Sequence, residues 1–278
     1  MSPTRAGRPT DRSTGRGPRR RPAPEWLPQQ HGAWAMLLVP ALVGAVRGGL
    51  DWLQLVLGGA MLAAYGAANA ASLAVRARAR RRYLRPITTY AGVAAALGLV
   101  AVLVHPALLM WLSAYLPLGL LTGYLTWRRR ERSLLNDATT ILAACLFAGV
   151  MFQAGPARRG LATLAAFAEW RVMVWVIVAL FAYFFGTALY VKTVIRERTN
   201  PRYHRASVTY HAGWAVFWAL AGVFGIPVGP WTQVGLVVLF VLLTARAKVM
   251  AGRRVKPLYV GLGEIAFSAA IALITILW

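Results

Sequence analysis

Apolar runs of about twenty residues alternate with short arginine-rich clusters along most of the chain. A helix of ~20 apolar residues, rising 1.5 Å per residue, crosses the ~30 Å hydrocarbon core of a bilayer. The pattern predicts an all-α fold, a polytopic transmembrane bundle of about nine helices. We expect the spans at residues 33–46, 52–75, 87–104, 107–127, 134–154, 172–191, 208–226, 231–247 and 258–278.

Two segments depart from this pattern. Residues 1–24 are rich in Arg, Ser, Thr, Pro and Gly and have no apolar periodicity, which predicts a disordered basic cytoplasmic tail before a single transmembrane domain at 25–278. Residues 155–171 form a longer loop than its neighbours. Its apolar part, 161–170, predicts a segment lying flat in the membrane interface.

The positions of the basic residues predict the orientation. Of the 31 Lys and Arg residues, Arg47, Arg158, Arg159 and Arg171 alone lie on one side of the predicted bundle. Because short cytoplasmic loops carry an excess of Lys and Arg, the N-terminus is expected on the cytoplasmic side. The excess of Arg over Lys, with much Ala and Gly, suggests a GC-rich bacterial genome, and we therefore expect the bacterial inner membrane. The net charge of +23 therefore indicates a lipid bilayer as partner, and no nucleic acid.

Among eight acidic residues, Glu264 is the most informative, because it lies about six residues into the ninth predicted span. A carboxylate at that depth needs an ion pair, a proton or a water-filled cavity. Glu264 is thus a candidate catalytic or proton-coupling residue, and a structural ion pair explains it equally well. His31, which opens the first span, is a second candidate acid or base. An interfacial role for His31 stays open.

The predicted inner side also carries candidate binding residues. Lys192 and Arg196 have i, i+4 spacing, and two cations on one helix face suit a phosphate or diphosphate. Their presence is also explained by the inward bias of basic residues. The remaining candidates for substrate binding are Asn69, Ser72, Glu197, His211 and Lys256. No local His-x-x-x-His spacing is present, so no metal site and no cofactor are expected.

Three segments resemble the YwiC-like family of bacterial membrane proteins. They are residues 28–34 (Pro-Gln-Gln-His-Gly-Ala-Trp), residues 191–198 (Val-Lys-Thr-Val-Ile-Arg-Glu-Arg) and the closing Lys256-Pro257 with Gly261 and Glu264. The resemblance covers nearly the whole chain after the tail, and it implies no particular biochemical activity.

The architecture is also similar to the UbiA-type intramembrane prenyltransferases. That resemblance implies an Asp-rich motif after spans two and six, where Mg²⁺ holds a prenyl diphosphate. Here only Asn69 matches the first motif, and Ala70, Leu73 and Ala77 stand at the expected aspartate positions. The usual carboxylate–Mg²⁺ site is therefore absent. Either Lys and Arg take the place of the metal, or the activity differs.

The sequence leaves three functions open, and it does not decide whether the protein is an enzyme. The first is a divergent UbiA-like protein that binds a lipid diphosphate, such as an isoprenoid diphosphate, or another anion in a cytoplasm-facing cationic cavity. The second is a transporter of a small anion or metabolite, with Glu264 as its coupling site. The third is a non-catalytic membrane scaffold.

Overall fold

The computed structural model describes residues 26, 31–77, 80–156, 164–253 and 257–278, with only the backbone for residues 31–32, 164–166 and 257. These ranges contain helices and turns and no strand, which confirms the all-α prediction. The predicted tail lies outside them. The helices are α1 (His31–Gly48), α2 (Trp52–Arg76), α3 (Arg81–Val104), α4 (Leu112–Trp127), α5 (Leu134–Gln153), α6 (Leu164–Ile195), α7 (Pro201–Ala219), α8 (Pro230–Met250) and α9 (Pro257–Ile276), with a short 3-10 helix, Pro106–Trp111, before α4.

Among the described residues, seven helical segments are long and apolar enough to cross a membrane, with the 3-10 helix and α4 counted together as one segment, Pro106–Trp127. The other two α-helices are α1, whose apolar part Ala33–Gly48 is short, and α7, whose first turns are polar. Two contacts between helix termini are those expected when successive helices alternate in direction. The end of α2 meets the start of α5 through the Arg76–Glu131 ion pair, and Arg47 near the end of α1 donates to the last carbonyls of α9. We call the end that carries Arg76 and Glu131 the basic end.

Short polar signals in the sequence set the starts of several helices. Asp51 caps α2, because its side chain accepts a hydrogen bond from Leu53 N at 2.8 Å. In return, the Asp51 backbone N–H donates to the Gln54 side-chain oxygen at 3.0 Å. This reciprocal capping box satisfies amide groups that a helix start leaves unpaired. Asn200 caps α7 with a single bond, its side chain accepting from Arg202 N at 3.1 Å, and Pro201 follows at the first helical position.

Three predicted boundaries are corrected by the structure. Helix α3 begins at Arg81, before its apolar run, and α7 runs from Pro201 to Ala219, because the Asn200 cap starts it well before the apolar residues. The flat interfacial segment is wrong for residues 164–170, which are the first turns of α6. The Trp170 ring packs edge-on against the Phe152 ring, 5.1 Å away, and this contact supports those turns against α5.

The core of the described residues consists of three hydrophobic clusters. The largest joins α1 and α5 to α6, α7, α8 and α9, the second joins α1 and α5 to α2, α3 and the 3-10 helix, and a small third cluster joins α6, α8 and α9. Small residues allow α1 and α5 to pack closely. A Cβ at Gly44 would lie 2.0 Å from the Ala148 carbonyl oxygen, and one at Gly48 would lie 2.5 Å from that of Phe152. Close backbone approach at small-xxx-small positions is a usual way to join membrane helices.

Candidate functional site

Glu264 lies about two turns into α9, where α6 and α8 also meet. Its Oε1 accepts a hydrogen bond from Arg246 Nη1 of α8 at 2.5 Å, which forms an ion pair. Its Oε2 accepts from Thr187 Oγ1 of α6 at 3.0 Å. The side chains of Arg246 and Glu264 are only 12% and 15% exposed, so the pair is largely removed from solvent. We call this group the Arg246–Glu264 site.

Tyr183 extends the network deeper along α6. Its hydroxyl is 3.4 Å from Glu264 Oε2 and 3.1 Å from Ser268 Oγ. Since a phenol has one proton, Tyr183 donates to Glu264 when Ser268 donates to it. The carboxylate is then held by three donors from two helices, which fixes both of its oxygens.

Arg246 has more hydrogen-bonding capacity than its partners use. Its guanidinium carbon is 3.9 Å from the centroid of the Tyr190 ring and 4.8 Å from that of Phe267, so two aromatic residues contact the cation. Nη1 binds Glu264, but Nε and Nη2 are buried and make no hydrogen bond within the described part of the chain. These two nitrogens form the edge of the guanidinium that donates two parallel bonds to a carboxylate or phosphate. The site therefore offers an unused bidentate edge.

His211 is fully buried on α7, against α6. Its Nδ1 is 2.6 Å from the Ser207 carbonyl oxygen, and because a carbonyl only accepts, Nδ1 carries the proton. Nε2 is then an acceptor, and it has no hydrogen-bond partner among the described residues. The buried Ser207 hydroxyl has none among them either. A Cβ on Gly186 of α6 would lie 2.7 Å from Nε2, so His211 occupies the space that this glycine leaves. His211 therefore lies in a helix interface.

The two cations predicted to share one anion have different surroundings. Lys192 forms an ion pair with Asp137 of α5, and its Nζ donates to the Arg132 carbonyl oxygen at 2.9 Å. Arg196, just after the end of α6, is exposed, and its side chain has no hydrogen bond or ion pair to another described residue. The charge of Lys192 is therefore balanced inside the protein, whereas that of Arg196 is open to solvent or headgroups.

Comparison with known proteins shows the family. The sequence model of the YwiC-like protein family matches residues 27–152. A Bacillus subtilis protein named "Uncharacterized protein YwiC" is 36% identical in an alignment of 205 residues that covers 68% of this chain and 80% of that protein. The chain belongs to the YwiC-like family. A Haemophilus influenzae protein named "Uncharacterized protein" is 28% identical over 243 residues, covering 87% of this chain and 94% of that protein. No solved structure matches the chain.

The other predicted binding residues of this YwiC-like protein lie in different places. Ser72 donates to the Asn69 carbonyl oxygen of its own helix at 2.8 Å, and both residues are on α2, which packs chiefly against α3. Glu197 accepts from Asn200 Nδ2 at 3.0 Å. The His31 side chain and Lys256 lie outside the described residues, so their roles stay predictions.

In the described ranges, no group of three or more His, Cys, Asp or Glu residues is arranged to hold a metal ion. The acids there have other neighbours. Asp137 pairs with Lys192, Glu131 with Arg76, and Glu264 with Arg246. The chemistry available at the Arg246–Glu264 site is therefore that of a guanidinium beside a carboxylate, with hydroxyl donors around it.

Sequence reasoning identified Glu264 but not its partner. Arg246 lies within the predicted eighth span, 231–247, close to the basic residues that follow it, and hydropathy alone does not distinguish it from them. A useful signal was available. A cation near the end of one span and an acid near the start of the next lie at similar depth when the two helices are antiparallel. Tyr183 and Thr187, one turn apart on α6, are likewise polar residues on one helix face.

Proposed function

We propose that this YwiC-like protein binds a lipid diphosphate or another anion at the basic end of its bundle, with Arg246 as the main contact. The observation that carries the proposal is the unused Nε and Nη2 edge of the buried Arg246 guanidinium. Leaving a buried donor unpaired costs about 1–3 kcal/mol, more for a charged group. A phosphate or carboxylate of the ligand would satisfy both nitrogens at once.

The ligand would complete the site without displacing Glu264. Glu264 uses only the Nη1 side of Arg246, so a bidentate anion has the other edge to itself. Because Nε and Nη2 are buried, the anion gains access only when the rings of Tyr190 or Phe267 move or when α8 and α9 separate at the basic end. Arg196, exposed at the same end, is placed to attract the anion before it binds.

This proposal includes an orientation. The basic end faces the cytoplasm of a bacterial cell, as the bias of basic residues supports, and the protein spans the inner membrane nine times. A periplasm-active phosphatase fused after Trp278 is then active. A reporter that works only in the cytoplasm, fused at the same position and found active, would show that the number of spans or the orientation is wrong.

The binding test separates the effect of the positive charge of Arg246 from that of its two-bond guanidinium edge. Purified protein in detergent is titrated with farnesyl diphosphate, and binding is measured by native mass spectrometry. Farnesol, which has the same chain but no diphosphate, is the uncharged control ligand. Arg246→Lys keeps the charge beside Glu264 but removes the bidentate edge, and each charge-assisted bond contributes about 1.5–3 kcal/mol. We expect diphosphate affinity to fall at least about tenfold.

Arg253→Lys is the matched control, since Arg253 is exposed at the same end and has no described side-chain partner. Its affinity should change less than about twofold. Equal losses for Arg246→Lys and Arg253→Lys would contradict a bidentate site. Absence of any phosphorylated ligand from the wild-type protein would leave the scaffold as the better account.

The Glu264 carboxylate favours a second candidate, the transport of a small anion together with a proton. Protonation of Glu264 would break its ion pair and release Arg246 Nη1 to the anion, so that the two bind together. In proteoliposomes, Glu264→Gln should then keep anion exchange but lose the response to a pH gradient. An unchanged pH response in Glu264→Gln would remove this candidate.

A further inference from the structure

The turn that follows α4 has an unusual backbone. Helix α4 ends at Trp127, and three arginines follow it directly. The amide of Arg129 bonds to the Thr126 carbonyl oxygen at 2.9 Å, and that of Arg130 bonds to the Leu125 carbonyl oxygen at 2.7 Å. Arg129 has φ 55°, the left-handed conformation that usually falls to glycine at this position of a helix end. The turn is therefore well defined, and an arginine stands where glycine would be less strained.

An open hollow of about 380 Å³ lies at this turn, lined by Trp127, Arg128, Arg129 and Arg130. The three arginines are exposed, and none has an ion pair to a described residue. The adjacent acid, Glu131, is 3.5 Å from Arg76 instead. The hollow thus concentrates three positive charges that have no counterion among the residues the structure describes.

The hollow also lies at the expected height of lipid headgroups. The segment Pro106–Trp127 is long and apolar enough to cross a membrane, and the hollow begins at its last residue. Trp127 and Tyr124, 70% and 52% exposed, have ring centroids 6.3 Å apart. Exposed Trp and Tyr at the end of a span are typical of the interface between acyl chains and headgroups.

We propose that the Trp127–Arg130 hollow binds the phosphate of an anionic phospholipid headgroup, with the arginines on the phosphate and the two aromatic rings beside the acyl chains. The occupant is a membrane lipid, because the apolar and cationic parts adjoin at one point of the surface. This inference does not depend on the Arg246–Glu264 site, which lies on α6, α8 and α9.

The test uses native mass spectrometry of the purified full-length protein with added dioleoyl phosphatidylglycerol. Arg129→Gly is the sharpest variant, because glycine accepts φ 55° and the turn is kept while the charge is lost. We expect affinity for phosphatidylglycerol to fall about fivefold, and more than about tenfold when Arg128→Gln and Arg130→Gln are added. Dioleoyl phosphatidylcholine should bind weakly and be unaffected by these variants.

The control is the triple variant Arg202→Gln, Arg205→Gln and Arg253→Gln, which removes the same charge from exposed positions at the same end. A loss of phosphatidylglycerol in this control equal to that in the hollow variant would mean general attraction to a positive surface, and would overturn the proposal. An unchanged affinity in Arg129→Gly would overturn it as well. If inorganic phosphate at equal concentration displaced the lipid, the hollow would be a soluble phosphate site and the lipid assignment would be wrong.

Discussion

Breaking the Arg246–Glu264 ion pair from either side should destabilise the protein, whereas replacing both residues should not. The single changes are Glu264→Leu and Arg246→Met, and the third variant carries both. Removing one partner of a buried pair costs about 3–5 kcal/mol, because the other charge is left uncompensated. Replacing both partners with apolar residues of similar size is often neutral.

The structure places each single loss near the lower end of that range. In Glu264→Leu, the Arg246 cation keeps its contacts with Tyr190 and Phe267, which offset part of the cost. In Arg246→Met, Thr187 and Tyr183 still donate to Glu264, which can also take up a proton. We therefore expect about 3 kcal/mol for each single variant and about 0–1 kcal/mol for the double variant.

Thermal unfolding in detergent, followed by tryptophan fluorescence, measures these differences, since the chain has 11 tryptophans. At about 2–4 °C per kcal/mol, each single variant should lower the Tm by about 6–12 °C. The double variant should unfold within a few degrees of the wild type. If the two single losses simply add in the double variant, the residues are not energetically coupled and the pair described here does not matter for folding.

Three further predictions follow from other parts of the molecule. Asp137→Asn leaves Lys192 without its counterion between α5 and α6 and should lower the Tm by several degrees, whereas adding Lys192→Met should restore most of the loss. Gly44→Val should separate α1 from α5 and abolish a folded peak in size-exclusion chromatography, whereas Gly58→Val, where an added Cβ meets no atom within 4 Å, should elute normally. If Arg246 captures a diphosphate without metal, binding should be equal with excess chelator and with Mg²⁺, and should weaken as salt is raised; recovery only with Mg²⁺ would restore the case for a carboxylate–metal site.

Hydropathy is enough to find the nine α-helices of the described residues but not to place their ends. Apolar residues show where a chain can be buried in lipid, and helices extend beyond that wherever their ends are capped. Helix α7 is the clearest case, because Asn200 and Pro201 start it among polar residues. The signal was present in the sequence as an Asn-Pro pair, and hydropathy outweighed it in the prediction.

Of the candidate site, the sequence predicted Glu264 but not the residues around it. The reason differs from that for the helix ends. The depth of Glu264 follows from its position along one helix, so the sequence alone identified it as an unusual residue. Its partner depends on which helices are neighbours, and a list of spans does not contain that information. The same gap explains Lys192, whose expected role as an anion contact took no account of Asp137 on α5.

The two buried cations of this YwiC-like protein differ in a way that bears on function. Lys192 contacts the Asp137 carboxylate and the Arg132 carbonyl oxygen, and linking α5 to α6 is a sufficient role for this ion pair. Arg246 is held by one carboxylate and two rings, yet its Nε and Nη2 are buried and bond to none of the described residues. If the pair only stabilised the fold, a lysine in place of Arg246, or apolar residues at both positions, would do so with a smaller desolvation penalty. If the double variant at Arg246 and Glu264 is as stable as the wild type, stability does not account for the pair, and that result would support the ligand proposed for the guanidinium edge.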